Sequence, residues 1–224
     1  MMCRNHCHRG VRCVLAAAFV LALTVLPALA AGSKTEAIGT LSAPGASADL
    51  TKALADHGTR VILDDGWSAD FWFARALVVS STSAPGALYP ELANGEFVGV
   101  VTFPKGASDF RGQAVPAGTY TLRYQYIPQD ANHMGVSPNP DFLLAIPVAS
   151  DTTPGDNLPL KRLVALSAKA TATAHPAVFA LAPAGSSGAL TKDDQGMSIF
   201  TAEVSTAAGK TQKISIVVKG QANQ

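Results

Sequence analysis

Residues 119–127 read Thr-Tyr-Thr-Leu-Arg-Tyr-Gln-Tyr-Ile, and this stretch decides the fold class. Tyr120, Leu122, Tyr124 and Tyr126 alternate with polar residues. Successive side chains of a β-strand point to opposite faces of the sheet, so this period of two is typical of a strand. The sequence therefore predicts a strand over 119–127, with an apolar, largely buried face and a polar face.

Outward from this strand, short apolar segments recur between turns rich in glycine, proline, asparagine and aspartate. The further predicted strands are 60–63, 71–79, 96–103, 142–148, 177–181, 197–204 and 213–219. Residues 50–57 predict one short helix with Asp49 as N-cap, and 160–169 predict either a second helix or an irregular crossing. Regular amphipathic helices do not separate the strands, which disfavours a βαβ fold. We predict an all-β protein that forms a single antiparallel β-sandwich with one or two short helices. A jelly roll is one of the topologies that this sandwich could have.

The N-terminus has the pattern of a secretory signal peptide. Residues 1–13 contain three arginines and no acidic residue, and 14–26 are apolar except for one threonine. Ala28-Leu29-Ala30 then supplies a small-x-small site, so we expect cleavage between Ala30 and Ala31. An uncleaved membrane anchor is the alternative, but the apolar run is shorter than the about 20 residues of a span. Residues 31–49 predict a flexible lead, and 50–224 the sandwich domain.

Composition excludes several classes of protein. The chain has 224 residues, 48% of them hydrophobic and 15% charged, which is too apolar for a disordered chain. Cleavage after residue 30 would remove all three cysteines and three basic residues, leaving 14 basic and 16 acidic residues and a net charge of −2. Such a chain has no disulfide and no thiolate ligand, and no basic excess to bind nucleic acid. We expect it to be secreted or periplasmic, with no membrane span after cleavage.

The segment 128–141 is the first candidate for a site. It contains three prolines, lacks periodicity and lies between two predicted strands, and loops of this length in compact domains are often functional. Asp130, His133 and Asp141, together with His175, are residue types that hold a divalent metal or transfer protons. His133 and Asp141 are the leading pair. The alternative is that the aspartates cap turns while His133 binds backbone atoms.

Further candidates lie beside the strand 119–127. Asp109 and Arg111 suggest a polar pair at a binding edge, although Pro116 and Gly118 also fit a plain hairpin corner. Arg123 lies on the polar face of the strand. We expect Arg123 to form an ion pair there with Asp141 or with an anionic ligand.

The residues Gly112, Val115-Pro-Ala-Gly118, Tyr120 and Leu122 form a G-x-x-V-P-A-G-x-Y-x-L pattern. With residues 133–138 and 141–142, this pattern resembles a group of uncharacterised secreted bacterial β-sandwich proteins. The resemblance covers a minor part of the mature chain. It implies a β-sandwich and export, and it supplies no catalytic residue.

These observations favour an exported, non-catalytic binding or envelope-associated domain that presents loops from a rigid scaffold. Its ligand would be a small molecule, a glycan or a protein. One alternative is a metal-dependent hydrolase or related enzyme that uses His133 and Asp141 with a divalent metal. The other is a structural module of the cell envelope.

Overall fold

The computed structural model describes residues 32–79, 84–127, 137–185 and 190–220. The predicted signal peptide lies outside the described residues, as do Ala30 and Ala31 at its cleavage site. Asp130 and His133 also lie outside them, with the rest of 128–136. Within the described ranges, no helix has the length and apolarity needed to span a membrane.

The prediction of an all-β protein with few short helices is confirmed. The strands are β1 (Lys34–Ile38), β2 (Gly58–Ile62), β3 (Ser68–Phe73), β4 (Phe97–Phe103), β5 (Ala107–Ser108), β6 (Ala114–Val115), β7 (Gly118–Tyr126), β8 (Asp141–Pro147), β9 (Ala177–Ala182), β10 (Leu190–Lys192), β11 (Ser198–Ser205) and β12 (Thr211–Lys219). The helices are α1 (Ala48–Ala53), α2 (Leu160–Thr171) and a 3-10 turn (Val148–Ser150).

Ten strands form one sheet in the order β1-β2-β3-β4-β7-β8-β9-β12-β11-β10, and β5 pairs with β6 separately. Every strand pair is antiparallel. The first seven strands of this order follow the order of the chain, with the separate β5–β6 pair lying between β4 and β7 in sequence. After β9, the last three strands lie in the reverse of their chain order, as β12-β11-β10. This order is not that of the two Greek keys of a jelly roll.

The sheet curls so that its two halves face each other across one core. Phe103 on β4 stacks on Phe179 on β9 with 5.4 Å between ring centroids, although β7 and β8 separate these strands within the sheet. Phe71 on β3 likewise lies 5.3 Å from Phe200 on β11. The curled sheet therefore has an inner face, whose side chains meet in the core, and an outer face.

The apolar face predicted for residues 119–127 is the inner face of β7. Tyr120, Leu122 and Tyr124 are at most 5% exposed and belong to the main core cluster, while Tyr126 is half-buried at the end of the strand. The helix α2 covers the outer face of β8 and β9, where Leu163 and Leu166 pack on the sheet. Residues 160–169 are thus helical, the first of the two forms predicted for them.

Two local predictions near the N-terminus are wrong. The predicted flexible lead contains β1, which pairs with β2 over five residues. Its side chains are almost all exposed, so no apolar period marks it, and it is ordered by pairing with a strand distant in sequence. The predicted helix begins earlier, because Ser47 is the N-cap and its Oγ accepts a hydrogen bond from the Leu50 N–H at 3.0 Å. Asp49 lies in the first turn.

Candidate functional site

Arg123 is buried on the outer face of β7 and is 1% exposed. Its Nε and Nη2 donate to the two carboxylate oxygens of Asp151 at 2.8 and 2.7 Å. The remaining N–H groups donate to the backbone carbonyls of Gly95, Thr153, Pro154 and Asp156 at 3.0 to 3.1 Å. All donors of the guanidinium are used, so the predicted pairing with Asp141 or an anionic ligand is wrong. Arg123 instead orders residues 151–156 above the sheet.

Asp109 is also fully buried, and its carboxylate holds parts of the fold together. Its Oδ1 accepts hydrogen bonds from the backbone N–H groups of Arg111 and Gln113, and its Oδ2 from the backbone N–H of Val178 at 3.1 Å. Arg111 therefore meets Asp109 through its backbone, within the turn between β5 and β6. The contact between the two residues thus holds a turn of the fold, and their role at a binding edge stays a prediction.

Asp141 is fully buried at the start of β8. Its Oδ2 accepts hydrogen bonds from the Tyr89 backbone N–H at 2.9 Å and from the Tyr124 hydroxyl at 3.3 Å. Burial, and then the carboxylate of Asp141, raise the pKa of Tyr124 far above its usual value, so this phenol stays protonated. Among the residues that the structure describes, three buried side-chain atoms at this end of the sheet have no hydrogen-bond partner: Asp141 Oδ1, Ser137 Oγ and Gln125 Oε1.

Of the four predicted metal ligands, the two that the structure describes, Asp141 and His175, lie far apart. His175 is exposed and precedes β9, whose Ala177 pairs with Ala145. His175 thus lies near the end of β8, while Asp141 lies at its start. The two ends of this strand are six residues apart, which is a distance of about 20 Å. Within the ranges described, no three His, Cys, Asp or Glu side chains cluster to hold a metal ion.

A cavity that the sequence did not predict opens where the two edges of the curled sheet approach each other. Phe71, Phe73 and Phe200 form its floor, and Thr35 of β1 and Ala202 of β11 lie on its walls. Its volume is about 420 Å³, and His57 and Glu203 also line it. We call this cavity the window.

The window is closed at both ends by contacts between the two halves of the sheet. At one end Asp64 pairs with Lys192 at 2.9 Å, and Asp65 pairs with Lys219. At the other end the Leu77 N–H donates to the Ser205 carbonyl, and the Ala207 N–H donates to the Leu77 carbonyl, both at 2.8 Å. These contacts hold the two halves of the sheet together on either side of the window.

Sequence reasoning missed the window because four separated segments contribute to it. Phe71 and Phe73 form a recognisable alternation in β3, but Phe200 and Thr35 become their neighbours only after the sheet curls. The one available sequence signal was the small Ala202 on the apolar side of β11, between Phe200 and Val204.

A second cavity, of about 380 Å³, lies on the outer face and is lined by Ala53, Ala74, Glu96 and Arg123, among others. Burial raises the pKa of Glu96, although its Oε1 accepts a hydrogen bond from the Val78 N–H at 2.9 Å. Arg123 already has a full set of acceptors within the fold, so its guanidinium has no N–H group left for a ligand in this cavity.

Comparison of the chain with models of protein families, with curated proteins and with solved structures found no match.

Proposed function

We propose that this protein is an exported, non-catalytic binding domain whose ligand places an apolar group in the window. The observation that carries the proposal is the floor of three phenylalanines beneath an opening between the sheet edges. Concave sites of about 300–1,000 Å³ with aromatic lining are the usual places for ligands. The window has this size and this lining.

The positions of the predicted ligand-binding and metal-binding residues support a non-catalytic role. Asp109 and Arg123 are held by hydrogen bonds within the fold. His175 and Asp141 lie at opposite ends of β8. The basic and apolar N-terminus with its Ala-Leu-Ala site supports export. The intact mass of protein recovered from culture supernatant or periplasm tests this part: loss of residues 1–30 is expected, and a full-length mass in the membrane pellet would contradict export.

The binding site is tested with N-phenyl-1-naphthylamine, a neutral apolar fluorophore, titrated into the wild type and an Ala202→Trp variant. Ala202 is 9% exposed and its side chain faces the window, so an indole there would fill the cavity. We expect the affinity for the fluorophore to fall about tenfold or more. Ala76→Trp, at an exposed position lining the second cavity, is the matched control and should bind as the wild type does.

Equal affinity of wild type and Ala202→Trp would contradict the proposal. Thermal unfolding of each variant shows whether it is folded. If Ala202→Trp does not fold, Thr35→Trp replaces it, because Thr35 is exposed on β1 and lines the same cavity.

A metal-dependent hydrolase is a second candidate on one observation: within the described part of the chain, Oδ1 of the buried Asp141 has no hydrogen-bond partner. A buried carboxylate oxygen without a donor is costly, and a cation would satisfy it. Zinc titration followed by calorimetry tests this candidate: uptake by the wild type that is lost in Asp141→Asn would support it, and no uptake by the wild type would exclude it.

A further inference from the structure

Asn94 and Gly95 form the one Asn-Gly pair in the sequence. They are the central residues of a turn before β4, which the Glu96 N–H closes by donating to the Ala93 carbonyl at 3.0 Å. Gly95 has a φ of +84°, which favours glycine at this position. It is also crowded, because a Cβ there would lie 3.1 Å from the Leu158 carbonyl oxygen. Gly95 is buried, whereas Asn94 is exposed.

An asparagine followed by glycine is prone to spontaneous deamidation, because glycine has no side chain to hinder its backbone nitrogen. That nitrogen forms a bond to Cγ of the asparagine, the bond between Cγ and Nδ2 breaks, and the proton of the backbone nitrogen ends on the ammonia that leaves. Water then opens the cyclic imide at either of its carbonyls. One product is aspartate. The other is isoaspartate, in which the main chain runs through the former side chain and is longer by one methylene group.

Two hydrogen bonds to β7 hold the atoms that would react. The Gly95 N–H donates to the Tyr124 carbonyl at 2.8 Å, and Asn94 Oδ1 accepts from the Tyr126 N–H at 2.6 Å. For deamidation, the Gly95 nitrogen must lose its proton and Cγ of Asn94 must move onto this nitrogen. Both bonds must therefore break first, which requires a local opening of the turn away from β7.

The products differ in how they fit the closed turn. An aspartate in place of Asn94 keeps a side-chain oxygen that can accept from the Tyr126 N–H. Isoaspartate instead lengthens the main chain directly before Gly95, whose N–H bonds to Tyr124 and whose carbonyl accepts from Nη1 of the buried Arg123 at 3.0 Å. The added methylene group displaces both of these backbone groups from their partners.

We propose that Asn94 is a site of spontaneous deamidation, and that the closed turn suppresses the reaction. Modification then takes place in molecules whose turn has opened. Because isoaspartate disturbs the contacts of Gly95 with Tyr124 and Arg123, the modified turn closes less stably than the original one. A molecule that has opened is thereby marked and weakened. This inference concerns the turn and is independent of the window.

The test places a second Asn-Gly pair in the same molecule as an internal reference. Ala208→Asn creates this pair in the turn between β11 and β12, where Gly209 has a φ of +73°. Both 208 and 209 are exposed, and the Gly209 N–H donates to the Thr206 carbonyl within the same turn. The reference therefore has the same dipeptide and a positive φ at its glycine, but the glycine is exposed rather than buried.

Peptide mapping follows both positions in one sample. Trypsin cuts after Arg75 and Lys105, and the fragment 76–105 contains Asn94 as its one side-chain amide. The fragment 193–210 carries the introduced asparagine. Mass spectrometry of the two fragments over time gives the two rates of deamidation.

In mildly alkaline buffer that keeps the protein folded, Asn94 should react about tenfold or more slowly than the introduced asparagine, because its two hydrogen bonds to β7 must break first. In guanidinium chloride, which unfolds the chain, the two rates should be similar. Equal rates in the folded protein would overturn the proposal, and so would an Asn94 that stays slow in guanidinium chloride. If Ala208→Asn does not fold, the wild type under the same two conditions gives the comparison for Asn94.

A second measurement tests the effect of the product. The folded wild type is aged until labelling by an isoaspartyl methyltransferase detects isoaspartate at position 94, and it is then proteolysed briefly in increasing urea. If none forms in the folded protein, material modified in guanidinium chloride and refolded takes its place. Molecules with isoaspartate should be cleaved at lower urea than unmodified ones, whereas Asn94→Asp should resist as the wild type does. Equal isoaspartate contents in the resistant and the total protein would show that the product leaves the contacts of Gly95 intact, which contradicts the proposal.

Discussion

Arg123 and Asp151 form a bidentate ion pair in which both side chains are 1% exposed. The Thr121 hydroxyl also donates to Asp151 Oδ2 at 2.6 Å. Removing two charges from water is costly, and their attraction offsets this cost only when geometry is good and the other donors are satisfied. Both conditions hold here, and the pair fixes the segment after the 3-10 turn to the outer face of β7.

Breaking this pair should strongly destabilise the protein. Asp151→Ala leaves the guanidinium buried without its carboxylate, and we expect the free energy of unfolding in urea to fall by about 3–5 kcal/mol. Asp56→Ala is the matched control, because it breaks the exposed pair of Asp56 and Arg75 and should hardly move the unfolding midpoint. Similar losses in both variants would show that burial of the Arg123 pair has no special effect.

Tyr89 joins β9 to β12 through its hydroxyl, which accepts from the Ser215 N–H at 2.8 Å and donates to the Ala182 carbonyl at 2.9 Å. Tyr89→Phe leaves a buried N–H without its acceptor, so we expect a loss of about 1–3 kcal/mol in urea unfolding. Tyr126→Phe is the control, because its hydroxyl bonds to Pro85 at the surface. A loss in Tyr126→Phe as large as in Tyr89→Phe would contradict this account.

Leu122 lies on the inner face of β7 and is 1% exposed. Leu122→Ala should leave a cavity in the core and lower the free energy of unfolding by about 2–5 kcal/mol. Lys105→Ala, at an exposed turn position, serves as the control and should have little effect. Unchanged stability of Leu122→Ala would mean that the inner and outer faces of this strand are reversed.

Glu96 should make stability depend on pH. Burial raises its pKa in the folded state, so the folded protein holds this proton more tightly than the unfolded chain. Ionising Glu96 in the folded protein lowers the free energy of unfolding. This loss is absent below the ordinary pKa of Glu96, grows as pH rises from the ordinary to the raised pKa, and is complete above the raised pKa. Glu96→Gln should therefore be stabilising relative to the wild type at pH 7, and this difference should shrink at pH 4. Urea unfolding at both pH values measures it, and a difference that grows at pH 4 would contradict the sign.

Metal binding should not depend on His175, because this residue lies at the far end of β8 from Asp141. We expect His175→Ala to take up the same amount of zinc as the wild type after dialysis, measured by elemental analysis. Reduced zinc uptake in this variant would show that His175 is a zinc ligand.

The alternation in 119–127 determined by itself that β7 is a strand and which of its faces is buried. Side-chain direction in a strand follows from local backbone geometry, so a few neighbouring residues are sufficient evidence. For residues 160–169 the sequence left a helix and an irregular crossing open, and the structure shows the helix α2. The start of α1 was misplaced by a short distance, since Ser47 and Asp49 are both residue types that cap helices.

Only the tertiary structure decided what the polar residues do and where a ligand site lies. Arg123, Asp109 and Asp141 are polar types that serve equally in sites and in buried networks, and their partners are far away in sequence. Asp151 is 28 residues from Arg123, and Val178 is 69 residues from Asp109. The window depends on the curl of the whole sheet, which brings Thr35 to Phe200. Sequence patterns report the direction of a side chain from its neighbours in the chain, whereas hydrogen-bond partners and cavities are set by contacts between distant segments that form only on folding.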